Sequence, residues 1–223
     1  MMTKDDPFEG TSGSVARRVM TGLVKVGIAI KSHAWQEAEG RNLTPTQGQI
    51  LALLRLRSST GLRLSELADG LAVSLATTSE TVDTLVQKGF VQKTRLPQDG
   101  RVRTITLTET GKAEADRVAG WPDFLLDAVD TLSPAEQTVF LHGLIKMIRA
   151  LQERGQIPVS RMCVTCRFFR PHVYPESDRP HHCAFVDLPF GDRHLRLECP
   201  DHEPSPPEAA ERIWKQFVSL GSE

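Results

Sequence analysis

The chain has 223 residues, with 27 Lys and Arg against 28 Asp and Glu, a formal net charge of −1. Hydrophobic residues, at 39%, suffice for a packed core and exclude wholesale disorder. Four cysteines are too few for a disulfide-dense secreted scaffold, and the near-zero charge points by itself to neither nucleic acid nor membrane.

The first ten residues carry two Asp and one Glu and no apolar stretch of the kind a signal peptide needs, so a cytoplasmic location is expected and residues 1–13 are read as a disordered N-terminus. Residues 14–39 read as a helix, with Val15, Val19, Leu23, Val26 and Ile30 at helical spacing. Lys25 and Gly27 break its apolar stretch, and no run in the chain approaches the ~20 residues of a bilayer span. Thr44 as N-cap and Pro45 at the first helical position start a second helix that runs to Arg57, with Ile50, Leu51, Leu53 and Leu54 inward. Ser65 is expected to cap a short helix over 66–71. Val73 and Ser74 open another over 75–88, with Val82, Leu85 and Val86 on its buried face and Gly89 as its stop.

Residues 90–96 and 102–108 read as strands around a Pro97-Gln98-Asp99-Gly100 turn. Thr110 is expected to cap a helix to Val118. Trp121 and Pro122 interrupt the pattern, which resumes over 123–130. Ser133-Pro134-Ala135-Glu136 is a capping box that launches a long helix to Glu153. Residues 208–220 form a last amphipathic helix with Ile213, Trp214, Phe217 and Val218 on one face, expected to dock on its own protein.

Divided along the chain, the neutral charge resolves into two opposite modules. Residues 41–112 hold ten basic against six acidic side chains, and residues 113–153 hold three against seven. The basic module is the candidate for nucleic acid. Its order of two short helices, a tight turn between them and a following hairpin is that of a winged helix-turn-helix. Leu64-Ser65-Glu66-Leu67-Ala68 is followed in order by the stretch from Val82 to Val91, by Asp99-Gly100-Arg101 and by Leu107-Thr108-Glu109-Thr110-Gly111. With these motifs, residues 14–153 resemble the MarR family of bacterial transcription regulators.

The expected fold is therefore mainly α with a small β-hairpin wing, flanked by long dimerisation helices. The DNA-binding lobe spans about 41–112, and a separate segment, 154–223, lies outside the usual family pattern. The resemblance implies a homodimer on a near-palindromic double-stranded operator, repression as the expected sense, and no enzymatic activity. No nucleophile–base arrangement or Gly-rich phosphate loop appears in the sequence. Val15, Val19, Leu23 and Val26 at one end, with Phe140, Leu141, Leu144, Ile145 and Ile148 at the other, are the expected dimer interface.

An α-helix fits the major groove, and its N-terminus favours phosphate. Ser74, Thr77, Thr78, Ser79 and Thr81 are the candidate DNA-facing residues of the recognition helix, which has no Arg and carries Glu80. The attraction then falls to the wing: Lys93, Arg95, Arg101 and Arg103. By the resemblance, Arg101 is the wing arginine that enters the minor groove, and Asp99 is expected to hold its guanidinium in a fork.

Residues 161–203 hold all four cysteines, five of the seven histidines, and Phe168, Phe169, Phe185 and Phe190. The pattern is Cys163-x2-Cys166, sixteen residues, Cys183, fifteen residues, Cys199. A Cys-x2-Cys pair lets two thiolates bind one centre, and two further cysteines complete a four-thiolate metal site. One pair followed by two distant cysteines resembles high-potential iron–sulfur proteins, and Cys199-Pro200 is similar to the closing Cys-Pro of ferredoxins. An iron–sulfur cluster (4Fe–4S) held by Cys163, Cys166, Cys183 and Cys199 is the expected cofactor and zinc the alternative; His181, His182 and His202 lie beside these cysteines and are read as exposed or supporting groups ahead of replacement ligands.

The expected function is a regulator whose cluster senses redox state, oxygen or iron by changing how residues 155–223 dock on the terminal helices. The alternatives are a regulator with structural zinc that responds to a small aromatic effector near His33, Trp35 and Trp121, and a redox or electron-transfer protein.

Overall fold

The computed structural model describes residues 14–57, 61–96 and 99–219, the side chains of residues 95, 96 and 99–102 excepted. Helix α1 (Val15–Glu39) leads into α2 (Pro45–Arg57), α3 (Leu64–Leu71) and α4 (Leu75–Gln87). Strands β1 (Val91–Leu96) and β2 (Asp99–Leu107) follow, then α5 (Glu109–Ala119), a short turn of helix at Trp121–Asp123, α6 (Phe124–Val129) and α7 (Pro134–Glu153). Three short strands, β3 (Phe169–Arg170), β4 (His181–Cys183) and β5 (Leu188–Phe190), and helix α8 (Pro207–Ser219) complete it. None of the helices among the described residues is long and apolar enough to cross a membrane.

Local chemistry sets most boundaries. Thr44 and Gln47 cap α2 reciprocally, each accepting a backbone N–H of the other at 3.2 and 3.1 Å. Ser74 caps α4 and Ser133 caps α7, the latter with Glu136 reaching back to the Ser133 N–H. Two expected caps move. Arg63, not Ser65, precedes α3, where Glu66 accepts the Arg63 N–H at 2.6 Å. Thr108, not Thr110, caps α5: its hydroxyl accepts the Gly111 N–H at 3.0 Å and donates to the Gly89 carbonyl at 2.6 Å, a carbonyl that also receives the Thr110 hydroxyl at 2.9 Å. Gly111 is required here, since a Cβ would lie 1.7 Å from the Phe90 carbonyl oxygen. The turn between α3 and α4 passes through Ala72 in the left-handed region, φ 54°, a conformation that costs a non-glycine residue about 1 kcal/mol.

Strands β1 and β2 pair antiparallel, Val91 opposite Leu107 and Arg95 opposite Arg103. Leu62 adds a short bridge, exchanging both backbone hydrogen bonds with Ile105. The second strand begins at Asp99, three residues before its expected start, and Pro97 and Gln98 lie outside the described residues. The hairpin, the helix pair and α2 close over one core centred on Ile50, Leu54, Leu67, Val82, Leu85 and Ile105. Val86, expected to be buried, is exposed, because α4 turns Val82 and Leu85 inward.

A second core lies in the C-terminal part. Ile145 of α7 packs with Met162, Val164, Phe169, Leu195 and Phe217, flanked by Leu141 and Ile148. This corrects the expected interface. Ile145 is covered by the chain's own C-terminal segment, as Leu141 and Ile148 partly are, while Phe140 remains exposed. Arg149 of α7 is buried, lies 4.6 Å over the Trp214 ring of α8 and pairs with Glu153 at 2.7 Å. Along α1, by contrast, Val15, Val19, Val26 and Ile30 stand exposed.

Candidate nucleic-acid interface and cysteine site

Helix α4 presents its N-terminal turn to solvent. Ser74 accepts the Thr77 N–H at 3.1 Å, and the two hydroxyls lie 2.8 Å apart. Both residues are exposed, Ser79 and Thr81 are half-buried, and the Thr81 hydroxyl donates to the Thr77 carbonyl. Thr78 departs from the expectation: it is fully buried and its hydroxyl donates to the Ser74 carbonyl at 2.9 Å. It sits on the core side of the helix and cannot reach a groove.

Lys93 and Arg103 are exposed on the wing. Lys93 reaches back to Asp83 of α4 at 2.6 Å, which ties the wing to the recognition helix and partly neutralises this lysine. The side chains of Arg95, Asp99 and Arg101 lie outside the described residues.

The C-terminal segment brings all four cysteines to one place. Cys163, Cys166, Cys183 and Cys199 line a single cavity of about 370 Å³ together with Phe168, Phe169, Phe185 and Phe190. None of the four forms a disulfide. Cys163 and Cys166 are placed by a tight turn in which the Cys166 N–H donates to the Cys163 carbonyl at 2.9 Å. Two backbone bonds, Cys163 N–H to the Arg196 carbonyl and Cys199 N–H to the Arg161 carbonyl, set the last cysteine beside the first. Cys183 ends β4, whose pairing with β3 and β5 places it opposite Phe169 and Leu188.

Arg196 donates its backbone N–H to Cys163 Sγ at 3.3 Å and its guanidinium to Cys199 Sγ at 3.6 Å. Burial pushes the Cys163 thiol up to about 11, against the pull of the Arg196 N–H, and the other three cysteines push the same way. The four sulfurs would all be deprotonated together in so apolar a cavity only around a positive centre. Among the described residues, however, no group of three or more His, Cys, Asp or Glu is gathered so that it could hold a metal ion. Four sulfurs on one zinc, each about 2.3 Å from the metal, would have to lie within about 4 Å of one another.

The three histidines that neighbour the cysteines in sequence, His181, His182 and His202, have other partners, and none lines the cavity. His181 is fully buried, accepts the His172 N–H on Nδ1 and holds Asp192 through Nε2 at 2.7 Å. His182 faces Asp187 and His202 faces Thr165, at 3.1 and 3.0 Å. The histidine at the cavity is His194, with Arg179 and Arg193 nearby. No sequence signal distinguished it, since its position follows from the fold of the loop after β5.

The expected effector residues have different surroundings. His33 stacks on Phe124, with ring centroids 4.3 Å apart, and Trp121 is buried in the first core. Trp35 faces an open depression with Ile28 and Lys31.

Comparison with known proteins bears on the first part of the chain. A sequence model of the MarR family matches residues 43–102. YfiV of Bacillus subtilis (strain 168), an uncharacterized HTH-type transcriptional regulator, is 28% identical over 116 residues, covering 52% of this chain and 72% of that protein. Among solved structures, S. aureus MepR in its DNA-binding conformation is similar, with a TM-score of 0.54 at 25% identity, covering 60% of this chain and 98% of that one. The S. aureus MepR–DNA complex has a TM-score of 0.52 at 25% identity, covering 59% and 97%. Over residues 43–102 the chain is thus similar to the MarR family, and its helix-turn-helix and wing share the fold of MepR, a likeness confined to part of a chain that extends well beyond it.

Proposed function

We propose that this chain is a DNA-binding transcriptional regulator that acts as a homodimer on a near-palindromic operator. The observation that carries the reading is the exposed, hydroxyl-rich N-terminal turn of α4 beside a basic wing, in a fold similar to MepR solved with DNA. Ser74 and Thr77 meet base edges or phosphates in the major groove, and the wing arginines supply most of the phosphate attraction. The exposed apolar length of α1 supports pairing with a second copy. Selection of duplexes from a random-sequence pool by the purified protein tests this. Enrichment of a near-palindrome, bound with a steep salt dependence, is expected; no enrichment at low salt rejects DNA recognition.

The second half of the proposal is an iron–sulfur cluster at Cys163, Cys166, Cys183 and Cys199, through which the regulator senses redox state, oxygen or iron. It rests on four cysteines lining one aromatic-walled cavity of about 370 Å³, roomy for a cluster. A bound cluster supplies one-electron redox chemistry and sensitivity to oxidant. The chain's own contribution is the Arg196 donors on two sulfurs and a phenylalanine shell that limits water. Anaerobic purification with iron, sulfide and zinc analysis tests it. Iron and sulfide in equal amounts and a broad band near ~400 nm are expected, and one zinc per chain without iron rejects it.

A further inference from the structure

The residue before the last cysteine does not face the cavity. Glu198 reaches out of the C-terminal segment and takes Arg57, the final residue of α2, in a two-pronged grip: Nε to Oε1 at 3.1 Å and Nη2 to Oε2 at 3.2 Å. Both side chains are about four-fifths buried, which favours a pair that keeps one geometry. Arg161 adds a second cation 3.8 Å from the same carboxylate. Its backbone carbonyl also holds the Cys199 N–H, and its guanidinium donates to the Pro200 carbonyl. Residues 198–200 are thus fixed on one side by the cysteine site and on the other by α2.

What Arg57 touches matters as much. Gly70 lies in α3, the first helix of the helix-turn-helix. A Cβ at that position would lie 3.5 Å from Arg57 Nη1 and 2.7 Å from Leu53 Cδ2. The missing side chain lets the last turn of α2 lie flat on α3, with the Arg57 guanidinium between α3 and Glu198. Cys199 is thus linked through Glu198 to Arg57, whose guanidinium lies beside Gly70 of the helix that braces the recognition helix.

We propose that the Arg57–Glu198 pair is the link by which the state of the cysteine site reaches the DNA-binding helices. The inference rests on the proposed function, whose expected route through the docking of residues 155–223 on the terminal helices it replaces with a direct one. When Cys199 is held by a bound centre, residues 196–200 are fixed and Glu198 pins Arg57 on α3. When Cys199 is released, Glu198 loses its fixed position, α3 is freed and the recognition helix is no longer held in one orientation. Coupling of this kind between two sites commonly amounts to about 5–150-fold in affinity.

The test compares protein reconstituted with iron and sulfide against chelator-stripped protein, for wild type, Glu198→Gln, Arg57→Gln and the reversed pair R57E/E198R. Two quantities are read: amide hydrogen exchange across residues 64–71, and affinity for the selected duplex. In wild type, stripping raises exchange in α3 and shifts affinity. In E198Q and R57Q, α3 exchanges rapidly in both forms and the affinity ratio falls to within about twofold of one, while the reversed pair restores part of both differences. The link is overturned if E198Q takes up iron and sulfide and keeps the full wild-type differences. It is equally overturned if stripping the wild type leaves exchange in α3 unchanged. If the protein takes zinc and not iron, the cluster reading fails, and the same comparison of zinc-loaded and stripped forms decides the link. If affinity never responds although exchange in α3 does, sensing at the operator fails and the link stands.

Discussion

His142 of α7 and Asp192 of the cysteine-bearing segment are joined by a 2.9 Å hydrogen bond from ring Nε2 to carboxylate Oδ1, and the same oxygen receives His181 at 2.7 Å. Hydrogen bonds from His142 first, and then His181, hold the Asp192 carboxyl well below the usual carboxylate range. A group depressed in the folded state contributes stability in full above its unfolded value, near ~3.9, and loses it as pH falls toward the folded one. Asp192→Asn should therefore destabilise the C-terminal segment at neutral pH, by about 1–2 kcal/mol for a partly exposed carboxylate with two such partners. Thermal unfolding at pH 7 and pH 3.5 checks the sign: the gap between wild type and variant should narrow at the lower pH.

Thr77 and Thr78 are neighbours on α4 with opposite fates. Thr77→Ala should weaken binding to the selected duplex by up to about tenfold and leave the melting temperature close to wild type, since the side chain is exposed. Thr78→Val removes a buried hydroxyl that donates to the Ser74 carbonyl. It should cost about 1 kcal/mol of stability with duplex affinity unchanged. Fluorescence anisotropy and differential scanning calorimetry on the pair separate the two roles.

The wing cations should differ in weight. Lys93 is paired with Asp83, whereas Arg103 is exposed, so Arg103→Ala should lower the salt dependence of binding by about one phosphate contact and Lys93→Ala by less. The slope of log affinity against log salt over 50–200 mM, on one duplex, is the measurement.

Gly111→Ala asks for a methyl group 1.7 Å from a backbone oxygen that cannot step aside without breaking the start of β1. The variant should lose roughly 3 kcal/mol or more and populate unfolded chain near 37 °C. Urea denaturation followed by circular dichroism should show a lower midpoint with an unchanged slope.

Phe217→Ala should loosen the cysteine cavity without touching it. The ring is 2% exposed and stands against Phe169 and Trp214 at 6.0 and 5.8 Å between centroids. Truncation should cost about 3–5 kcal/mol, and the proposed cluster, once reconstituted, should be lost more quickly to a chelator.

The sequence made visible what is decided within a few residues. The Ser74 and Ser133 caps, the Thr44–Gln47 start and the hairpin all follow from local hydrogen bonds or from period. Choices between near-equal local options were hidden. Thr108 and Thr110 stand two residues apart and both donate to the Gly89 carbonyl, and it is Thr108 that also reaches the Phe90 carbonyl and the Gly111 N–H, a choice made by the fold. A one-residue difference in helix phase likewise separated Thr77 from Thr78. Amphipathic spacing showed that α7 has a face to bury, but not that the chain's own last helix would bury it. That the four cysteines gather was legible because they fall so close together in the sequence, and the fold brings them to one cavity. The histidines beside them were not separable, since a buried hydrogen bond to Asp192 and a ligand bond leave the same mark on a sequence. The Arg57–Glu198 contact joins residues 141 positions apart, between two segments that no short-range pattern connects.

The place of Phe217 in the second core sets an order on how this protein is made. All four thiols leave the ribosome before α8 does, yet the core that shapes their cavity includes a side chain from that final helix. During synthesis the cysteines therefore pass through a period in which they are accessible and not yet organised. The cavity is thus completed only once α8 has emerged, whereas the winged helix, whose core among the described residues ends at Trp121, can fold earlier.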